Sequence, residues 1–171
     1  MKIFSILLGC NFLVFFGSCE RKADLTETEV YTILNQIIQD DSLRLGPLCS
    51  KFQILEAKGE NSIGFSGDEM SFVNRQNVLF SGLTIKPNIL KKRNWKNFKT
   101  GQSPYIVIDS LCSKGIVTIL SFPFISPNRQ KVLIEITQEC NCMLGGQGGK
   151  YLYVKIKGHW KRKKSFDTWI S

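Results

Sequence analysis

Apolar residues change their spacing along this chain, and the changes mark out its elements. Between Glu27 and Gln39, Val30, Ile33, Leu34, Ile37 and Ile38 recur at steps of three and four. On a 3.6-residue period they form one stripe, which predicts an amphipathic helix packed on a core. Thr26 and Glu29 have the spacing of a capping box, the hydroxyl accepting from the first turn and the carboxylate reaching back. Leu25 and Val30 are spaced for a hydrophobic staple across the same cap. Asp40-Asp41-Ser42 closes the segment with negative charge at the negative end of the helix dipole, so fraying and solvated carboxylates are expected there.

Towards the C-terminus the period falls to two. In Lys131–Cys140 the even positions Val132, Ile134 and Ile136 are apolar; in Lys150–Lys157 so are Leu152, Val154 and Ile156. Strict alternation predicts two half-buried strands. Pairing Ile134 with Ile156 and Ile136 with Val154 keeps both apolar sets on one face and sets Glu135 opposite Lys155. Asn141–Gly149 then joins the two strands. A third strand starts at Trp160 after a turn at Gly158-His159, completing a β-meander. The run Gly145-Gly146-Gln147-Gly148-Gly149 resembles a phosphate loop only in its glycines. It feeds a strand rather than a helix N-terminus and lacks the Lys-Ser/Thr pair, so it reads as a hairpin loop.

The middle of the chain is less regular. Leu45-Gly46-Pro47 reads as a turn, Cys49–Glu56 as strand or short helix, and glycine-spaced Gly59–Asp68 as loop. Phe72–Phe80 reads as helix on an ambiguous period. Tyr105–Asp109 and the β-branched Gly115–Phe122 read as strands, and Ser126-Pro127-Asn128-Arg129 as a turn. The fold class expected is α+β: an N-terminal amphipathic helix on a curved antiparallel sheet that ends in a β-meander.

The first nineteen residues stand apart. Lys2 is followed by an almost wholly apolar stretch from Ile3 to Phe16, closed by Gly17-Ser18-Cys19. A basic start, an apolar run and small residues describe a secretory signal peptide, and the run falls short of the ~20 residues of a membrane span. Phe16-Gly17-Ser18-Cys19 resembles the lipobox of bacterial lipoproteins. That resemblance implies cleavage before Cys19, lipidation of its thiol, and an exported, membrane-anchored protein of the bacterial cell envelope. The organisation expected is a signal peptide over 1–18, a tether over 19–24 and one α+β domain over 25–171; an ordinary cleaved signal is the alternative.

Charge is spread unevenly. Residues 19–85 hold six Lys/Arg against ten Asp/Glu, a balance of −4, whereas residues 86–171 hold sixteen against four, a balance of +12. A basic half suggests attraction to an anionic partner, screened by salt. In an exported chain an anionic envelope component fits this better than nucleic acid; a merely solubilising surface fits as well. Two basic segments stand out as candidate binding residues. In one, Lys91, Lys92, Arg93 and Lys96 surround Trp95; the other is the run Lys161, Arg162, Lys163 and Lys164. Cations among aromatics can form a stacking platform, though Trp95 and Phe98 packed inward with lysines in water explains the first segment too.

Beyond Cys19 the cysteines are Cys49, Cys112, Cys140 and Cys142. Export permits disulfides, with Cys49 or Cys112 bridging to the Cys140/Cys142 pair, and buried free thiols are the competing reading. A Cys140–Cys142 bridge is strained, since residues two apart on a strand lie roughly 6.5 Å apart. A zinc site from Cys140, Cys142 and His159 fails on its C-x-C spacing.

No catalytic set emerges. His159, the only histidine, sits in a turn with no neighbour to orient it. Glu135 and Glu139 are about 13 Å apart along a strand, too far for a glycosidase pair. No cofactor is implied, and a non-catalytic binding or structural module is the expectation.

Two resemblances bear on the whole. Ser121-Phe122-Pro123-Phe124-Ile125-Ser126, the Cys/Gly-rich turn, Trp160-Lys161 and Trp169-Ile170-Ser171 resemble the C-terminal part of a group of uncharacterised bacterial exported proteins, over roughly residues 120–171. A helix followed by a terminal β-meander with a Trp is loosely similar to the nuclear-transport-factor-2-like cone. That likeness implies the alternative of a small ligand-binding domain or enzyme.

Overall fold

The structure, a computed structural model, describes residues 23–43, 45, 48–49, 52–55, 64–80, 82–86, 89–90, 95–96, 117–139 and 145–171. Among the described residues, two helices and seven strands make an α+β fold. The helices are α1 (Glu27–Asp40) and α2 (Gly67–Leu79). The strands are β1 (Leu48–Cys49), β2 (Trp95–Lys96), β3 (Val117–Leu120), β4 (Phe124–Ile125), β5 (Lys131–Glu139), β6 (Gln147–Ile156) and β7 (His159–Ile170). The sheet runs β2-β1-β3-β5-β6-β7, with β4 pairing β5. Its pairs are antiparallel except β1–β2 and β1–β3. The segment expected as a strand at 105–109 lies outside the described residues.

Helix α1 follows its stripe. Val30, Tyr31, Ile33, Leu34 and Ile37 are buried, in one cluster with Leu25, Val132, Ile134, Ile136, Tyr153 and Trp160. The Thr26 hydroxyl accepts from the Glu29 amide at 3.2 Å, as a cap should. The Glu29 carboxylate, however, accepts from Arg129 Nε at 2.8 Å instead of closing a capping box. The complete box belongs to α2. There the Ser66 hydroxyl accepts from the Glu69 amide at 3.4 Å and Glu69 accepts from the Ser66 amide at 2.8 Å. That cap starts α2 at Gly67, five residues before the start read from Phe72.

The β-meander forms, but its first register differs from the alternation argument. Ile134 faces Tyr151, Glu135 faces Lys150 and Ile136 faces Gly149. The shift is odd, so β6 presents Tyr151 and Tyr153 to the α1 side and Leu152 to the other. There Leu152 meets Leu133, Phe124, Phe65, Met70 and Val73 in a second core cluster. Both faces of the central strands are thus covered. Alternation selects a register only when one face is wet, and here it had no such discrimination to offer.

The glycine run is likewise only partly a loop. Gly148 and Gly149 lie inside β6. A Cβ on Gly148 would stand 2.8 Å from Trp169 Nε1, and one on Gly145 would stand 2.1 Å from the Ser171 carbonyl oxygen. These glycines are the floor on which the C-terminal strand lies. At the other end of β6, Lys157 (φ 49°) and Gly158 (φ 85°) form the two-residue turn into β7. The β6–β7 ladder shifts register between Gly148 and Lys150 and again between Leu152 and Tyr153, bulges that twist and bend the sheet.

Candidate anionic-partner interface

Strand β7 closes one edge of the sheet, and β6 is its only partner among the described strands. An edge strand has one side of its backbone unpaired. Trp160 fixes it to the body: its indole is buried, its Nε1–H donates to Gln36 Oε1 at 3.2 Å, and its amide donates to Asp40 Oδ2 at 2.7 Å. The Trp160 amide, then His159 at 3.2 Å, hold the Asp40 carboxyl below its ordinary range.

Arg162, the second basic residue of the run, turns to the α1 side. It donates through Nε to Asp41 Oδ2 at 3.0 Å and again through Nη2. Its guanidinium lies 4.5 Å from the Tyr151 ring centre and 5.9 Å from that of Tyr153. The Tyr153 hydroxyl donates to the same Asp41 oxygen at 2.7 Å. Burial and this bond to a carboxylate push the Tyr153 phenol up. Burial works against the Arg162 charge, but Asp41 and Tyr153 together outweigh it and raise that group's pKa.

Asp40 and Asp41 are therefore not the solvated helix end that the sequence suggested. They form a carboxylate clamp that ties the C-terminal end of α1 to β7. Asp41 at the C-cap still makes its amide bond back to Ile37, so the helix end is held.

Lys161, Lys163 and Lys164 remain exposed on β7 and make no ion pair among the described residues. Lys161 pairs Val154 and Lys164 pairs Leu152, so both lie on the face away from α1. Lys163 falls at the bulge between these registers. Lys164 Nζ stands 4.7 Å from the Phe166 ring centre. The exposed Ile156 borders the same stretch.

The described residues of the two basic segments do not come together. Trp95–Lys96 is β2, at the opposite edge of the sheet from β7. Lys91, Lys92 and Arg93 lie outside the described residues, as do Cys19, Cys112, Cys140 and Cys142. Cys49 is a free, buried thiol in β1, pushed up to about 12 by burial and then by Glu139. Glu139 is itself raised by burial and by Glu135.

A shallow cleft of about 150 Å³ opens beyond the end of α1, between Leu43, Leu45, Ile136, Gln138, Tyr151 and Arg162. Gln147 Nε2 donates to Gln138 Oε1 across its floor at 2.6 Å. Sequence reasoning missed one further residue that sets the geometry, Gln76. Although buried, it accepts from the Leu25 amide at 3.0 Å and donates to Asp24 Oδ1 at 2.8 Å, fixing where the chain joins the fold. No family model matches the chain, and no curated protein or solved structure matches it either.

Proposed function

We propose that this chain is a lipid-anchored, non-catalytic module of the bacterial cell envelope that holds an anionic envelope component along β7. The observation that carries this reading is a contrast among its cations. Arg129, Lys131 and Arg162 are drawn onto acids of the two helices. Lys161, Lys163 and Lys164 share an edge strand with exposed backbone and form no direct ion pair within the described residues. Unpaired cations beside an aromatic ring suit phosphate or carboxylate groups on an extended anionic surface. The anchor is supported by Lys2, the apolar stretch and Phe16-Gly17-Ser18-Cys19.

Two measurements test the two halves. The intact mass of the mature protein from a bacterial membrane fraction is expected to fit a chain that starts at Cys19 and carries acyl groups. An unmodified N-terminus would remove the anchor. Binding to anionic vesicles or an acidic polysaccharide should weaken with salt. It should also fall sharply in the triple variant Lys161→Gln, Lys163→Gln, Lys164→Gln. Binding that ignores both salt and the variant would sink the electrostatic reading.

The cleft beside Tyr151 and Arg162 favours a second reading, a small-ligand site. Its volume is well below the roughly 300–1,000 Å³ of ordinary ligand pockets, and its arginine is already held by Asp41. It therefore ranks second.

A further inference from the structure

We infer that the outer face at the C-terminal end of α2, carrying Val78 and Leu79 with nearby Ile54, lies against the lipid surface that holds the anchor. This rests on the proposed lipidation of Cys19 and adds an orientation to it. The argument begins with where the chain joins the fold. The Ala23 carbonyl accepts from Arg129 Nη2 at 2.9 Å. Asp24 accepts from Arg75 Nε at 2.9 Å and from Gln76 Nε2 at 2.8 Å, and the Leu25 amide donates to Gln76. Three successive residues are thus pinned, two of them to the middle of α2.

Cys19 is four residues before Ala23. Four residues reach at most roughly 14 Å when fully extended. An acylated Cys19 sits at the bilayer interface, so α2 near Arg75 is held within that reach of the headgroups. Val78 and Leu79 stand three and four residues after Arg75, on the same face of the helix. They are 75% and 58% exposed, and Ile54 is 73% exposed. Ile54 and Asn77 border one shallow apolar cleft with Phe80, Leu83 and Phe122.

Large side chains this exposed cost solubility and are not explained by the fold, which buries α2 through Met70, Val73 and Gln76 and leaves its last turn uncovered. A lipid interface would take them up, as it does the apolar face of a surface-lying helix. The basic strand is placed to remain free. β7 is clamped to Asp40 and Asp41, at the far end of α1 from Ala23, and fourteen helical residues separate those ends by roughly 20 Å.

The test uses the full mature chain in vesicles of zwitterionic phosphatidylcholine, which offers the β7 lysines no anionic surface. A photo-reactive benzophenone side chain replaces Val78 in one sample and Lys163 in another. After irradiation, mass spectrometry reads both the acylation state of Cys19 and the adducts. Lipid adducts at position 78, and many-fold fewer at 163, are expected. An acylated chain that gives no lipid adduct at 78, or that cross-links there to a second copy or to another protein, overturns the orientation and leaves the anchor standing. An unmodified Cys19 overturns both.

Discussion

Asp41 is the residue on which most converges. One carboxylate oxygen accepts from the buried Tyr153 hydroxyl and from the Arg162 guanidinium, and thereby joins α1 to two strands. Losing the acceptor strands a buried hydroxyl, whereas losing the hydroxyl strands little, because Asp41 keeps its arginine. Asp41→Ala should therefore cost about 2–3 kcal/mol and Tyr153→Phe only about 1 kcal/mol, read from urea denaturation midpoints. Equal losses would mean that the clamp adds nothing beyond packing. Glu29 supplies one part of the acid-side pH dependence, alongside the likewise lowered Glu69 and Asp40. Its bond to Arg129 lowers its folded pKa below the ordinary 4.5 despite partial burial. A lowered folded pKa gives stability that is present above 4.5 and lost as pH falls through the folded value. Glu139 is raised and works in the opposite sense, since protonation relieves its burial. Thermal melts below pH 4.5 should thus fall less steeply for Glu29→Gln than for the native chain, and a more steeply falling curve would refute the pairing.

At the level of elements, legibility tracked how local the determining forces were. Helix α1 could be read because its cap and stripe lie within its own residues. The start of α2 is set by the cap pair Ser66 and Glu69, which precedes the apolar run from Phe72 and carries no apolar periodicity of its own. The β5–β6 register was not legible, because Leu133, on the face that alternation assigned to water, is buried together with Leu152 in the cluster against α2. Nor could Asp40 and Asp41 be recognised as a clamp, as their partners are more than a hundred residues away in sequence. The β6–β7 turn carries a prediction of its own. Lys157 has a positive φ of 49° beside Gly158 at 85°, a geometry that favours Asn-Gly over Lys-Gly. Lys157→Asn should stabilise the fold by roughly 0.5–1 kcal/mol, whereas Gly158→Ala, though nothing blocks its Cβ, should destabilise it by about 1 kcal/mol. Thermal denaturation of both variants decides this. A destabilising Asn at 157 would show that the lysine has a role the turn alone does not explain.

At the scale of the molecule, the split between an acidic first half and a basic second half is used in part as internal wiring among the described residues. Glu27 meets Lys86, Glu29 meets Arg129, Glu69 meets Lys131, Asp40 meets His159, and Asp41 meets Arg162. The helices are docked on the rest of the chain by complementary charge as well as by their apolar stripes. Among the described residues, part of the cation excess left over faces outward on β7 as Lys161, Lys163 and Lys164. These two uses of charge should respond differently to salt. Each internal pair is partly exposed and contributes little on its own, with the apolar clusters carrying most of the stability. Raising NaCl from about 0.05 M to about 1 M shortens the screening length from over 10 Å to about 3 Å. Urea midpoints should move only slightly over that range, because hydrophobic burial does not weaken with added salt. Binding to anionic vesicles through Lys161, Lys163 and Lys164 has no such reserve and should collapse. If instead the fold loosened while binding persisted, the ion pairs would be holding the helices on and β7 would be gripping its partner by apolar contact through Ile156 and Phe166.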